Sequence, residues 1–492
     1  MTREAAPDGG ASAPNGGAAP RGPLLRDALA TIATRFGLAL LIFATDIVLA
    51  RLLGPSAKGR FALVLLFSQL VAVVVGWGMD MALAVVAARD RDSARRGFAN
   101  ALIWTAVAGS MAVIATGLLY GLPTDVRPRG PLAQVIPNLS AAQFAFAALA
   151  IPLELFFALG LYALLGRGRV IEYGAIRLLR RGLLLVAVVG AAAVARLSLD
   201  VALVINLVAL GATAAAILWV ARRDEILSLR PSGELMREEL GFGSRAIVGT
   251  LAERLQFRAD TFIVNAVVGV RATGVYSVTS GLAETLWYIP NALGVVMFSR
   301  AVDPAADSGR IAAVLTRTTI AVTIATAVPA FLLGPWLVEV VYGSDFAEAG
   351  LALRWILPGV VAYSVVAILS RYIVGEGRPG LGTAVLVAGL AANIASNLLL
   401  VPRLGIEGAA LSSSLSYGAT AVLMLWLFRR LSGRGFLEAL VIRVSDLRAL
   451  ARALGALVER LTGRRVGPLI GLRGGGVAAG LVMGEHEPGE EL

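Results

Sequence analysis

The chain has 492 residues, 57% hydrophobic and 16% charged, with a mean hydropathy of +0.78. Ordinary soluble domains carry about 25% charged residues, and a water-soluble core of this length cannot hide so many apolar side chains. Soluble enzymes, nucleic-acid-binding proteins and secreted scaffolds are thereby excluded, leaving a basic polytopic membrane protein: 44 Lys+Arg against 33 Asp+Glu give a net charge of +11.

In chain order, residues 1–23 are Ala/Pro/Gly-rich and polar, and read as a disordered lead-in without a signal-peptide core. A hydrocarbon core of ~30 Å needs about 20 apolar residues per helix. That ruler predicts about twelve spans, centred near Leu40, Val73, Ala112, Ala148, Val186, Leu210, Ala259, Leu286, Ile324, Val361, Ala388 and Ala421. The fifth is weakened by Arg177, Arg180 and Arg181, the seventh by Glu253, Arg254, Arg258 and Asp260. The expected organisation is a six-helix lobe over 24–225, a linker over 226–238 and a second six-helix lobe over 239–431. A tail over 432–492 follows. Its apolar positions Leu440, Val444, Leu447, Leu450, Leu454, Leu457 and Leu461 predict an amphipathic helix over 436–461, lying on anionic lipids.

Arginine is concentrated in the loops after even-numbered spans, from Arg89, Arg91, Arg95 and Arg96 to Arg378. The positive-inside rule then places those loops and both termini in the cytoplasm. Arg51, Lys58 and Arg60 run against it; Lys58 is the only lysine in the chain.

The two halves repeat. Gly54, Gly59 and Phe61 near the end of the first span match Gly269, Gly274 and Tyr276 near the end of the seventh, at one offset of 215 residues. Each glycine suits a tight turn or a close approach where a Cβ would clash. An even number of spans per half gives both halves one orientation, so the symmetry axis runs along the membrane normal.

Ionisable residues inside spans usually face the bundle interior or water. Arg35 and Asp46 fall on nearly one face of span one, Glu253 and Asp260 share a face of span seven, and Arg254 and Arg258 lie on the adjoining stripe. Span two has Asp80, span four Glu154 and span eight Glu284. Arg177, Arg180 and Arg181 lie close together and either snorkel or serve the cavity. The expected substrate set is Arg35, Arg254, Arg258 and Arg177, because Arg binds phosphate bidentately and stays charged. Asp46, Asp260, Glu284 and Glu253 either balance these arginines or carry a coupling proton or sodium ion. Trp77, Trp287 and Tyr288 are candidates for stacking on sugar rings, against a plain packing role. With no Cys, and His486 as the single His, thiolate and His-ligated metal sites fall away; no metal or cofactor is expected.

Several stretches resemble the polysaccharide and oligosaccharide flippases of the multidrug/oligosaccharidyl-lipid/polysaccharide exporter superfamily. They are Arg51-Leu-Leu-Gly54-Pro55 with Gly59, Asp260 to Gly269 followed by Gly274-Val-Tyr276-Ser, Pro290-Asn-Ala-Leu, and Leu404-Gly405-Ile-Glu-Gly408. The resemblance covers about residues 28–430. It implies an all-α polytopic fold, with two six-helix lobes around a V-shaped cavity, as in the multidrug MATE exporters. It further implies a transporter, not an enzyme, in a bacterial inner membrane. That transporter would flip an undecaprenyl-pyrophosphate-linked oligosaccharide by alternating access, coupled to a proton or sodium gradient, beside a glycan polymerase partner. Competing readings are a multidrug cation exporter, disfavoured by the arginines, and a lipid II flippase, disfavoured by the span count. A membrane scaffold, or an integral glycan polymerase or ligase, is a further alternative; short loops speak against the polymerase.

Overall fold

The computed structural model describes residues 21–121, 130–194, 196–288 and 307–443, with positions 290, 291, 293, 297 and 446; the side chains of 21–33, 35 and 36 are outside that description. Residues 1–20 of the expected lead-in and 447–492 of the tail lie outside the described residues.

Among the described residues the regular structure is entirely helical. The first half comprises α1 (Arg21–Gly76), α2 (Met79–Arg89), α3 (Arg91–Tyr120), the short α4 (Pro131–Val135), α5 (Ala141–Gly166), α6 (Val170–Val194) and α7 (Leu199–Arg223). The second half comprises α8 (Gly233–Val267), α9 (Val270–Thr285), α10 (Ser308–Tyr342), α11 (Ala347–Gly375), α12 (Pro379–Ser432) and the short α13 (Phe436–Leu440). Helix α8 begins at Gly233, inside the stretch expected to be linker. Such a chain must be helical in lipid, because each backbone N–H and C=O then finds its partner within its own segment.

Seven helices are long and apolar enough to cross a membrane by length and composition. Two of them bend sharply: α1 at Gly54 and α12 at Gly405. Counting each bent helix as two arms, and adding α6, α8 and α9, gives the expected dozen. Helices α6 and α8 are the two spans that the sequence marked as interrupted by charge. The protein is a multi-pass, all-α membrane protein. Large apolar side chains such as Met111, Leu118, Val186, Leu332 and Trp336 are exposed, which suits lipid rather than water.

The bend at Gly54 has a local cause. Gly54 has φ 71° and ψ 172°, and Pro55 follows it. A residue before proline is pushed out of the α region, and only glycine adopts this positive φ without strain. Its repeat counterpart Gly269 has φ 114° and separates α8 from α9. The second glycine of each pair serves packing. A Cβ on Gly59 would stand 2.1 Å from the Val270 carbonyl oxygen, and one on Gly274 would stand 1.8 Å from that of Pro55. Val270 is the repeat counterpart of Pro55, so the two contacts are copies of one another. The repeat seen in the sequence is thus a two-fold contact between the halves.

Other bonds reinforce this glycine end. Arg51 donates to the carbonyls of Val340 and Val341 on α10. Asn265 Nδ2 donates to the Pro137 carbonyl at 2.9 Å. Lys58 is buried and ion-paired with Asp46. Arg51 and Lys58, which opposed the arginine asymmetry, are therefore engaged by partners. At the opposite, charged end, the first turns of α8 lie on α2 and α3. There Gly243 sits against the Trp77 carbonyl, and Arg89 pairs with Glu238.

Three apolar clusters fill the interior. One runs from α8 to α13 in the second half and takes in Ala50 of α1; two lie in the first half, around Phe67, Tyr120 and Phe144 and around Phe98 and Phe156.

The tail departs from expectation. Its helix stops at Leu440 because Val441 is extended, so no continuous helix runs from 436 onwards. Polar contacts hold the chain instead: Arg317 of α10 forks onto Asp446 and also donates to the Glu438 carbonyl at 2.8 Å. Residues 447–461 of the expected helix lie outside the described residues. Burial pushes the Asp446 carboxyl up, but hydrogen bonds from Arg317 and the Arg443 amide outweigh it and hold the carboxyl below its ordinary range. The docking is therefore intact at neutral pH and is lost as pH falls through that lowered value.

Gly274→Val should lower the melting temperature of the purified protein, since overpacking costs about 1–3 kcal/mol or more. Gly281→Ala, where nothing lies within 4 Å, should not. Asp446→Ala should leave Arg317 buried without its carboxylate, and limited proteolysis should then cut beyond Leu440 faster than in the parent.

Candidate functional site

A cavity of about 410 Å3 opens within the bundle. Its walls come from α1 (Leu38, Ile42, Gln69), the α1–α2 break (Gly76, Gly78), α2 (Asp80), α5 (Glu154 to Tyr162), α6 (Tyr173 to Arg181) and α8 (Ile247 to Arg254). Its α1 lining starts well before Gly54, so the cavity and the glycine contact lie at different depths. Four arginines face it against two acids: Arg177, Arg180, Arg181 and Arg254 against Asp80 and Glu154.

Helical spacing places three of the arginines together. Positions 177, 180 and 181 are three and four residues apart, and so share one face of α6. Their fates differ. Arg180 is buried, forks onto both carboxyl oxygens of Glu154 and stacks on Phe157 with 4.7 Å to the ring centroid. This pair is closed on itself. Arg177 lies over the Tyr173 ring and donates to its hydroxyl at 3.5 Å. Arg181 and Arg254 have neither an ion pair nor a hydrogen bond among the described residues. Asp80 is itself occupied by the Met81 amide at 2.9 Å, at the first turn of α2. The cavity thus presents three arginines that form no ion pair among the described residues, with Asp80 on the same wall.

The expected site residues are dispersed. Arg254 and Arg177 line the cavity. Arg258 does not; it meets Glu284 at 2.7 Å. The side chain of Arg35 lies outside the described residues. Asp46 is bound to Lys58 near the glycine end. Glu253 is exposed and accepts from the Tyr363 hydroxyl at 3.4 Å. Asp260 is buried in the second half, where it accepts from Tyr276, from Ser413 Oγ at 3.0 Å and from the Thr261 amide at 2.7 Å. Trp287 belongs to an aromatic cluster with Phe257, Tyr363 and Tyr417, 4.7 Å from Phe257 between centroids. Trp77 sits at the α1–α2 break with φ 51° and is partly exposed, as is Tyr288. Sequence reasoning grouped Arg181 with its neighbours but left it out of the substrate set. Tyr162, Tyr173 and Gln69 carried no sequence signal, because polar or aromatic residues on a span are ordinary.

The fold defines a class: it is similar to that of solved membrane transporters of the MOP superfamily. It is similar to an inward-facing multidrug resistance MATE family transporter, with a TM-score of 0.67 and 16% identity over 82% of this chain and 98% of that one. It is also similar to the lipid II flippase MurJ in an inward closed conformation, with a TM-score of 0.64 and 12% identity over 90% of this chain and 94% of that one. A third likeness is to a MOP superfamily transporter from Pyrococcus furiosus, for which a reversed polarity of the binding pocket has been taken to suggest a different function. Its TM-score is 0.57, with 16% identity over 83% of this chain and 95% of that one. At such identities the likeness is one of fold.

The sequence model of the family described as polysaccharide biosynthesis protein matches residues 143–350. That match covers less than half of the 492 residues. An uncharacterised membrane protein of Methanocaldococcus jannaschii is 26% identical over 102 residues, a stretch that spans 21% of this chain and 20% of that protein's length.

Glu154→Gln should destabilise the protein by about 3–5 kcal/mol, because a buried Arg180 would lose its ionic partner. Arg181→Ala, which breaks no pair, should leave the melting temperature within a degree or two of the parent, at most about 0.5 kcal/mol.

Proposed function

We propose that the protein flips an undecaprenyl-pyrophosphate-linked oligosaccharide, the repeat unit of a polysaccharide, from the inner to the outer leaflet of a bacterial inner membrane. Alternating access would come from two six-helix lobes, over 24–225 and 239–431, that rock about the glycine contact. The observation that carries this reading is the set Arg177, Arg181 and Arg254, three guanidinium groups without carboxylate partners around one cavity. A pyrophosphate supplies the missing anion, and Arg meets it with paired donors. Tyr162 and Tyr173 on the cavity wall offer faces to the adjoining sugar. A cationic drug would find the wrong sign of charge here.

The charged end is assigned to the cytoplasm, with both termini. Arg89, Arg91, Arg167, Arg169, Arg222 and Arg223 gather there, while the opposing Lys58 and Arg51 are engaged in internal contacts. Ion coupling is assigned to Asp260, a buried carboxylate ringed by the hydroxyl groups of Tyr276 and Ser413. A glycan polymerase, and anionic lipids beside the basic tail, are the proposed partners.

Glycan export by cells carrying Arg181→Ala or Arg254→Ala should fall about tenfold or more, since a charge-assisted bond contributes about 1.5–3 kcal/mol. The Lys variants should recover part of it. Normal export by both Ala variants would overturn the phosphate-binding reading. Asp260→Asn should transport without regard to the ion gradient or not at all; unchanged gradient dependence would remove Asp260 from that role.

A further inference from the structure

Glu239 lies at the charged end, in the turns of α8 that precede its membrane-spanning part, level with Asn100 at the foot of α3. It is 1% exposed. Its Oε2 accepts one hydrogen bond, from Asn100 Nδ2 at 3.1 Å. Its Oε1 is buried and has no partner among the described residues. That oxygen faces the Cα of Gly97 on α3, where a Cβ would stand 3.1 Å from it. Leu83 and Val86 of α2 close the same spot from the other side. An ionised carboxylate offers about four acceptor sites, and here one donor meets them. Burying that anion costs far more than burying the neutral acid.

The neighbourhood is a joint between the halves. Asn100 holds Ser232, the N-cap of α8, through both backbone groups: its Oδ1 accepts from the Ser232 amide at 3.0 Å, and its Nδ2 donates to the Ser232 carbonyl at 3.1 Å. Three turns on, Gly243 rests against Trp77 and Gly78 at the α1–α2 break. The first turns of α8 are thus seated on α2 and α3, with Glu239 beneath the seat.

We propose that Glu239 is a proton-binding site that holds the start of α8 on α2 and α3 when protonated and releases it when ionised. Burial pushes its carboxyl up to about 7; the Asn100 hydrogen bond opposes this and the neighbouring Glu238 adds to it. Among the described residues Glu238 is the charge that bears on the site; its own partner is Arg89 of α2, whose hydrogen bond holds it below the ordinary range. From α3 the site sees Asn100 and Gly97, from α2 only apolar side chains. In the released state Glu239 would titrate near its ordinary 4.5. The seated state is therefore favoured fully below that value, weakens as pH rises from it, and is weakest above about 7. Closing the joint takes up a proton and opening it returns one. None of this rests on what the cavity carries.

The natural absence of Cys allows a clean test on the full chain. Asp92→Cys on α3 and Glu234→Cys on α8, both at exposed positions, take a pair of spin labels, and the distance between them is measured across pH in lipid nanodiscs. The separation should grow as pH rises, with its half-point between about 4.5 and about 7. Adding Glu239→Gln should keep the short separation at every pH. Equal pH dependence with and without Glu239→Gln, or none in the labelled parent, would overturn the proposal. Infrared titration of the unlabelled protein gives a second reading: a protonated-carboxyl band lost in Glu239→Gln should vanish over the same pH range, and finding no such band at pH 5 would also overturn the proposal. Should the Gln variant not fold, Glu239→Met, neutral and of similar volume, should likewise remove the pH dependence of the separation; pH dependence that persists would count against the site.

Discussion

The architecture turns on one close approach of backbone. Gly59 meets Val270 and Gly274 meets Pro55, at separations that leave no room for a Cβ on either side. Two helices can come this near only where both lack side chains at the crossing. That crossing brings repeat-related residues face to face and sets the pseudo-two-fold axis. Around it lie Arg51 on the α10 carbonyls, Asn265 on Pro137 and the buried Lys58–Asp46 pair. Since the halves are held there by backbone and at the opposite end by the first turns of α8, the space between can hold polar side chains at a different depth.

Charge within the bundle follows a simple economy of pairing. A lone ionised group in hydrocarbon is costly, and most find partners: Lys58 with Asp46, Arg180 with Glu154, Arg258 with Glu284. Arg317 goes further and recruits Asp446 from beyond the last span. Against that background Arg177, Arg181 and Arg254 stand out. Among the described residues they form no ion pair yet share one cavity, and the proposed substrate would bring the negative charge. Glu239 is the mirror case, an acid without a cation, for which the missing positive charge is a proton.

The sequence made the class and the helix count legible, because hydropathy over about 20 residues is a local property. The glycine repeat was legible too, as identical residues at one offset. Within the site the yield was uneven. Arg254 and Arg177 line the cavity as expected, while Arg258 turns to Glu284 and Trp287 packs into an aromatic cluster. Arg258 lies one turn from Arg254, and spacing along a helix cannot say which neighbouring helix each will meet. Glu239 passed unnoticed because an acid beside Glu238 in a polar stretch ahead of a span reads as an ordinary solvated face. In the tail the helical spacing runs across a break after Leu440, where Val441 is extended and Arg317 holds the chain by Asp446; the leucines from Leu447 on lie outside the described residues.

By itself, then, the sequence determined a basic, all-α, multi-pass protein of two repeated halves, with arginines inside its spans. Composition, span length and repeat offset are written along the chain and survive any packing. Tertiary structure alone decided which arginines are paired and which are free, which glycines touch, and which carboxylate is buried without a cation. Those are facts about neighbours far apart in sequence, and only the crossing of helices supplies the neighbours.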